Sequence, residues 1–197
     1  MLNGSRLSTG TDLCHQCGMA KRKKNAAGVD ILTRTLTPIG IIHSPHKQAA
    51  GTPVQAALAV GVRGTVEVFP EYAAGLRDLD GFERIWLVYW FDRAKPVELV
   101  VTPYLDTTRR GLFATRAPCR PNPIGLSAVR LLEIVGNILQ VDGLDILDNT
   151  PLLDIKPYIP AFDALEAKRI GWCIEARGNG TVADGRFEAG GGRNLDT

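Results

Sequence analysis

The sequence predicts a mainly β chain: a small antiparallel sheet or barrel with one or two short helices and a loose N-terminal tail. Three observations carry that reading. Runs rich in β-branched and aromatic residues recur between residues 36 and 177, bounded by glycine, proline, asparagine or aspartate. Helical periodicity is confined to one short stretch. The strands follow one another without the helical crossovers that a doubly wound parallel sheet needs.

Residues 1–35 are a basic tail of Gly, Ser, Thr and Asn with no sustained hydrophobic period. The domain itself is expected over 36–177. LTPIGIIHS (36–44) reads as its first strand, followed by a Pro/Gly/Ala loop at 45–61. RGTVEVF (63–69) alternates and fits a half-buried strand. PEYAAGLRDLDGF (70–82) suits a short helix, with Pro70 near its start and Gly81 near its end. RIWLVYWF (84–91) has the composition of a strand buried on both faces. VELVVTPY (97–104), IGLSAVRLLEIV (124–135) and ILQVDGLDIL (138–147) continue the series, and PLLDIKPYIP (151–160) and GWCIEAR (171–177) are candidates to extend it. Residues 178–197 turn glycine-rich and polar, as a fraying end does.

Composition excludes several classes. The longest apolar run, Ile85 to Phe91, is far too short to cross a bilayer, so no membrane partner is expected. No apolar signal region opens the chain, which places it in the cytoplasm by default. Residues 1–35 carry six basic and two acidic groups, the remainder 17 basic and 19 acidic. A domain with a slight negative excess does not coat nucleic acid non-specifically, so any RNA must be held by a local patch.

That patch is visible. RRGLFATRAPCRPNPIGLSAVR (109–130) holds Arg109, Arg110, Arg116, Arg120 and Arg130, with no acidic residue between Asp106 and Glu133. Pro118, Pro121 and Pro123 stiffen it. Guanidinium groups on a stiff frame suit a carboxylate or phosphate, although a solvated proline-rich turn has a similar composition. The second informative stretch is DNTPLLDIKPY (148–158). There Asp154, Lys156 and Tyr158 alternate, so an extended chain presents an acid, a cation and a phenol on one face. They could move a proton and orient a polar substrate, or be an ordinary exposed strand face with an ion pair of little energetic weight.

Other patterns are weaker. GNGTVADG, with Gly178, Gly180 and Gly185, lacks the strand–turn–helix setting of a dinucleotide loop, and no P-loop is present. Cys14 and Cys17 have the spacing of half a zinc site, but Cys119 and Cys173 are isolated and no metal is expected. His43 and His46 flank Pro45 just past the first strand; general-base work is open to them, while hydrogen bonding at a strand end is the commoner role.

Taken together, IGIIHSP (39–45), GTPVQ (51–55), LDGFERIWLVYWFD (79–92), GLFATRAPCRPNPIGLSAVRL (111–131) and LDILDNTPLLDIKPYIP (144–160) resemble the TsaA-like (TrmO) family, from about Leu36 to Arg177. The ATRxPxRPNPIGLS block is the most specific part. The resemblance implies an antiparallel β-barrel methyltransferase that uses S-adenosyl-L-methionine. Characterised members methylate the exocyclic amine of threonylcarbamoyl-adenosine beside the tRNA anticodon. It implies cofactor contacts at Pro53, Val54, Gln55, Phe91, Asp92, Arg116, Leu126, Gly143, Leu144, Asp145 and Ile146. A homodimer and the tRNA anticodon loop follow as expected partners.

On this reading Asp154 is the candidate base, Lys156 and Tyr158 orient the modified adenine, and Arg120 and Asn122 hold the threonyl carboxylate or an RNA phosphate. A methyltransferase of the same fold acting on a small molecule, or a non-catalytic S-adenosyl-L-methionine-binding module, are the alternatives.

Overall fold

In a computed structural model of the chain, the described residues are 21–24, 30–174 and 181–189, with side chains described over 34–173 and 181–189. Cys14 and Cys17 lie outside them. Two compact units are present, Met1–Thr37 and Pro38–Thr197. In the first, β1 (Lys21–Lys24) pairs antiparallel with β2 (Asp30–Thr33).

The second unit is a closed antiparallel barrel. Its strands are β3 (Gly40–His43), β4 (Arg63–Val68), β5 (Arg84–Trp90), β8 (Ile124–Val135), β9 (Ile138–Asp142) and β10 (Thr150–Pro157). They close in the order β10-β3-β4-β9-β8-β5, and every pairing is antiparallel. Closure satisfies both edges of every strand, so the mainly β expectation resolves into a barrel. Two further strands, β6 (Val100–Val101) and β7 (Arg110–Gly111), pair within the long β5–β8 connection. The described residues hold one short helix, α1 (Pro160–Asp163), which has proline in its first turn.

Alternation decides what fills the barrel. Ile85, Leu87 and Tyr89 of β5 point inward with Val129 and Leu131 of β8, Leu139 and Val141 of β9, and Ile42 of β3. Gly125 is an inward position of β8 where space is the constraint. A Cβ there would stand 2.2 Å from Cε2 of Tyr89, so only glycine lets that ring lie across the strand.

Several elements differ from expectation. β5 is not buried on both faces: Trp86, Val88 and Trp90 are half-buried outward residues, and the apolar run concealed a two-faced strand. Residues 70–82 form two 3-10 turns, Pro70–Leu76 and Leu79–Gly81, in place of an α-helix. Only Val100 and Val101 of 97–104 are strand, and 171–174 form a 3-10 turn. In the segment expected to fray, residues 181–189 hydrogen-bond to the loop after β3. Val54 N–H donates to Thr181 O (3.1 Å), Gly51 N–H to Ala183 O (2.8 Å) and Ala183 N–H to Thr52 O (2.7 Å). Phe187 inserts beside Val101, Leu112, Ala117 and Cys119 in a second apolar cluster.

Candidate functional site

Connections at one end of the barrel border a cavity of about 870 Å³. The GTPVQ loop contributes Pro53, Val54 and Gln55. The end of β5 and the residues after it contribute Tyr89, Phe91 and Asp92. The arginine-rich segment and the start of β8 supply Phe113, Arg116, Arg120 and Leu126, and the loop after β9 supplies Asp145 and Ile146. Four segments distant in sequence thus meet because the barrel brings the ends of their strands together.

The arginines divide into two groups. Arg109 lies 3.5 Å from Glu98, Arg110 2.7 Å from Asp106 and Arg130 3.5 Å from Glu83. Arg116 and Arg120 make no ion pair among the described residues, and these two border the cavity. Arg116 Nη1 donates to the side-chain oxygen of Gln55, which aims its guanidinium across the GTPVQ loop. Arg120 Nη1 donates to Leu112 O (3.4 Å) and Thr115 O (3.1 Å), bracing the turn that precedes it. The long stretch without acids thus leaves two cations without a carboxylate.

Inside the mouth runs a chain of hydrogen bonds. Ser127 Oγ donates to Asp145 Oδ1 at 2.6 Å, and the Tyr89 hydroxyl lies 3.1 Å from Ser127 Oγ. The serine has one proton and spends it on Asp145, so Tyr89 is the donor in the second bond. Burial raises the Asp145 pKa above the usual carboxylate range; the bond from Ser127 and the charge of Arg116 oppose the shift without cancelling it. Burial, then the charge of Asp145, push the Tyr89 hydroxyl far up and keep it protonated. The sequence offered one signal for this triad. Ser127 is a polar residue at an inward position of β8, between Gly125 and Val129.

Of the cofactor positions implied by the resemblance, nine border the cavity: Pro53, Val54, Gln55, Phe91, Asp92, Arg116, Leu126, Asp145 and Ile146. Gly143 and Leu144 do not. Their backbone N–H groups donate to Val62 O, and Leu144 is buried in the core. Arg120 borders the cavity and Asn122 does not. Asp154 and Lys156 share the outer face of β10, as their spacing predicts, and Tyr158 follows just past its end, but none borders this cavity. Asp154 is 2.7 Å from Lys156 and lines a separate recess with Glu71, Tyr72 and Leu76. Tyr158 packs its ring 5.4 Å from that of Trp86, which does border the cavity.

Neither His43 nor His46 borders the cavity. His46 Nε2 donates to Leu144 O (3.2 Å), and His43 lies between Glu67 (3.6 Å) and Asp148 (3.8 Å). Among the described residues no group of three or more His, Cys, Asp or Glu could hold a metal ion. No helix among them is long and apolar enough to cross a membrane.

Residues 41–164 match the family described as the tRNA-methyltransferase O N-terminal domain. A probable S-adenosyl-L-methionine-binding protein of Pyrococcus abyssi is 58% identical over 135 residues, covering 68% of this chain and 73% of that one. The tRNA (adenine(37)-N6)-methyltransferase of Escherichia coli is 37% identical over 139 residues, covering 64% of this chain and 58% of its own. A crystal structure of TrmO from Pseudomonas aeruginosa superposes with a TM-score of 0.60 at 38% identity, over 71% of this chain and 62% of that chain. The chain therefore spans under two thirds of those last two proteins.

Proposed function

The chain belongs to the tRNA-methyltransferase O family, and from that premise we propose that it uses S-adenosyl-L-methionine to methylate the exocyclic amine of threonylcarbamoyl-adenosine beside the tRNA anticodon. The observation that carries the reading is the pair Arg116 and Arg120. They border the cavity without carboxylate partners while the three other arginines of the segment are engaged.

The residues present fit such a cofactor. Arg116 suits its carboxylate. Phe91, Leu126 and Ile146 offer an apolar wall for its adenine, and Asp92 and Asp145 bring negative charge to a cationic ligand. When bound, S-adenosyl-L-methionine supplies a methyl group on a sulfonium, already activated for transfer. The protein's work is then alignment and proton removal.

A carbamoyl-substituted amine is a weak nucleophile and must lose its proton as it reacts. Of the carboxylates bordering the cavity, Asp92 lies 3.4 Å from Arg93 and Glu188 accepts from Ala49 N–H. Asp145, held by Ser127 and made more basic by burial, is the acceptor this geometry favours over Asp154. Asp154, Lys156 and Tyr158 then sit outside the cavity, with Tyr158 supporting Trp86. A homodimer and a cytoplasmic location complete the reading.

The test is calorimetric titration with S-adenosyl-L-methionine, followed by methylation of tRNA with and without the threonylcarbamoyl group. Cofactor binding and turnover only on modified tRNA support the proposal. Equal turnover on both tRNAs removes the substrate assignment. Binding without turnover on any RNA leaves a binding module.

A further inference from the structure

The cavity's outer lip carries aromatic rings that the cofactor reading leaves without a task. Phe113 sits in the middle of the 3-10 turn Leu112–Ala114 and is 77% exposed. Its neighbour Leu112 is buried in the second apolar cluster. The turn between them is fixed on several sides. Thr115 donates to Leu112 O twice, through N–H (3.0 Å) and Oγ1 (2.8 Å). Arg120 braces Leu112 O and Thr115 O, and its guanidinium carbon lies 5.6 Å from the centre of the Phe113 ring.

Trp172 stands on the same lip. Its indole N–H donates to Ala114 O (2.8 Å), and Arg110 lies 5.8 Å over its ring. Trp86, backed by Tyr158, is the third ring. A phenyl group held out to water on a rigid turn has no packing role. Phe113 is the exposed ring, while Trp172 and Trp86 are half-buried. An aromatic face beside a guanidinium group is the chemistry that holds unpaired nucleobases, the ring stacking on the base and the cation meeting its phosphate.

We infer that Phe113 and Trp172 form a stacking ledge for an unpaired RNA base at the mouth of the cavity, with Arg120 placed for the adjoining phosphate. The inference rests on the RNA reading above and names the side chains that grip the RNA. Charge favours the assignment: Phe113 and Arg120 lie in the segment free of acids between Asp106 and Glu133, within a domain that otherwise carries a slight negative excess. The cavity volume, near the top of the roughly 300–1,000 Å³ range of ligand sites, leaves room for a base beside a cofactor.

The experiment compares the full chain with Phe113→Ala and Phe113→Tyr. An anticodon stem-loop RNA bearing threonylcarbamoyl-adenosine is the probe. RNA binding is followed by quenching of tryptophan fluorescence, methylation by steady-state kinetics and cofactor binding by calorimetry.

Phe113→Ala is expected to raise the RNA Kd and KM roughly 5- to 150-fold, the equivalent of the ~1–3 kcal/mol that base–aromatic stacking is worth. Cofactor affinity should stay at the wild-type value, and Phe113→Tyr, which keeps the ring, should bind RNA as the wild type does. An unchanged RNA Kd in Phe113→Ala overturns the ledge, as does a parallel loss of cofactor affinity, which would assign the ring to the cofactor. A wild-type protein that binds no RNA defeats the function proposal itself, a result read before any variant is compared.

Discussion

Gly125→Ala tests whether the interior of the barrel shapes the cavity. The added Cβ would stand 2.2, 2.3 and 2.8 Å from Cε2, Cζ and Cδ2 of Tyr89, whereas ordinary contact begins near 3.4 Å. The ring must therefore retreat by about 1.2 Å at its nearest atom. It has little room: Tyr89 is 3% exposed, and its edge packs against Phe91 at a centroid distance of 5.2 Å. The same retreat stretches the 3.1 Å contact to Ser127. Overpacking costs ~1–3 kcal/mol and a broken hydrogen bond ~0.5–1.5 kcal/mol, so a loss of roughly 2–4 kcal/mol is expected. For a chain of this size that lowers Tm by roughly 5–15 °C. Because Tyr89, Phe91 and Asp145 all border the cavity, cofactor affinity should fall in the same variant. Thermal unfolding and calorimetric titration measure the two effects. A variant as stable as wild type, with unaltered affinity, would show that Tyr89 does not pack across Gly125.

Three further predictions concern charge. Arg116→Ala should weaken S-adenosyl-L-methionine binding roughly 10- to 100-fold, from the loss of a charge-assisted bond worth ~1.5–3 kcal/mol, and Arg116→Lys should recover only part of it; titration calorimetry reads both. For Asp145 the sign follows from its raised pKa: between the ordinary value and the raised one the folded chain keeps a proton that the unfolded chain has released, so stability falls as pH rises through that window. Asp145→Asn should therefore flatten the dependence of Tm on pH, raise Tm at neutral pH and depress kcat; a variant with wild-type kcat would remove Asp145 as the proton acceptor. For Asp148 the sign reverses. The bond from Lys47 (2.5 Å) and that from Ser44 N–H (3.0 Å) hold its pKa below the usual range, so its contribution is present above the ordinary value and is lost as pH falls through the depressed one. Wild type should unfold at higher denaturant than Lys47→Met at neutral pH, and the two curves should converge in strong acid.

Which parts of this architecture could be read beforehand depended on whether the signal was local. The strands over 63–68, 84–90, 124–135 and 138–142 announce themselves by composition and alternation. The face of β10 did not. Leu152 and Asp154 are two residues apart, so simple alternation gives them one face. A register shift between them sends Leu152 inward opposite Tyr89 and Asp154 outward opposite Val88. The shift belongs to the pairing with β5, and the alternation of the amino acids themselves does not reveal it. It explains why Asp154 and Lys156 face away from the barrel interior, opposite Val88 and Trp86. The run VELVV misled for another reason: Val97, Leu99 and Val100 are apolar yet exposed. The arginine segment was legible because its message is composition, an excess of cations over acids that no register can hide.

The position of the site follows from closure. A barrel of six strands whose interior is filled by aliphatic side chains and Tyr89 has neither an open edge nor a hollow centre to offer a ligand. Binding chemistry must then sit in the connections, and here the loops after β3, β5 and β9 converge at one mouth. Those loops are held from both sides. Ser127, itself bonded by Tyr89, reaches up from the interior to Asp145, while residues 181–189 tie down the GTPVQ loop from outside through Thr181 and Ala183. Arg116, bonded to Gln55, joins the arginine segment to that same loop. Holding its groups in place before a ligand arrives lowers the ordering cost of binding. That is what a methyl-transfer site needs, since little is asked of it beyond orienting two partners and accepting a proton.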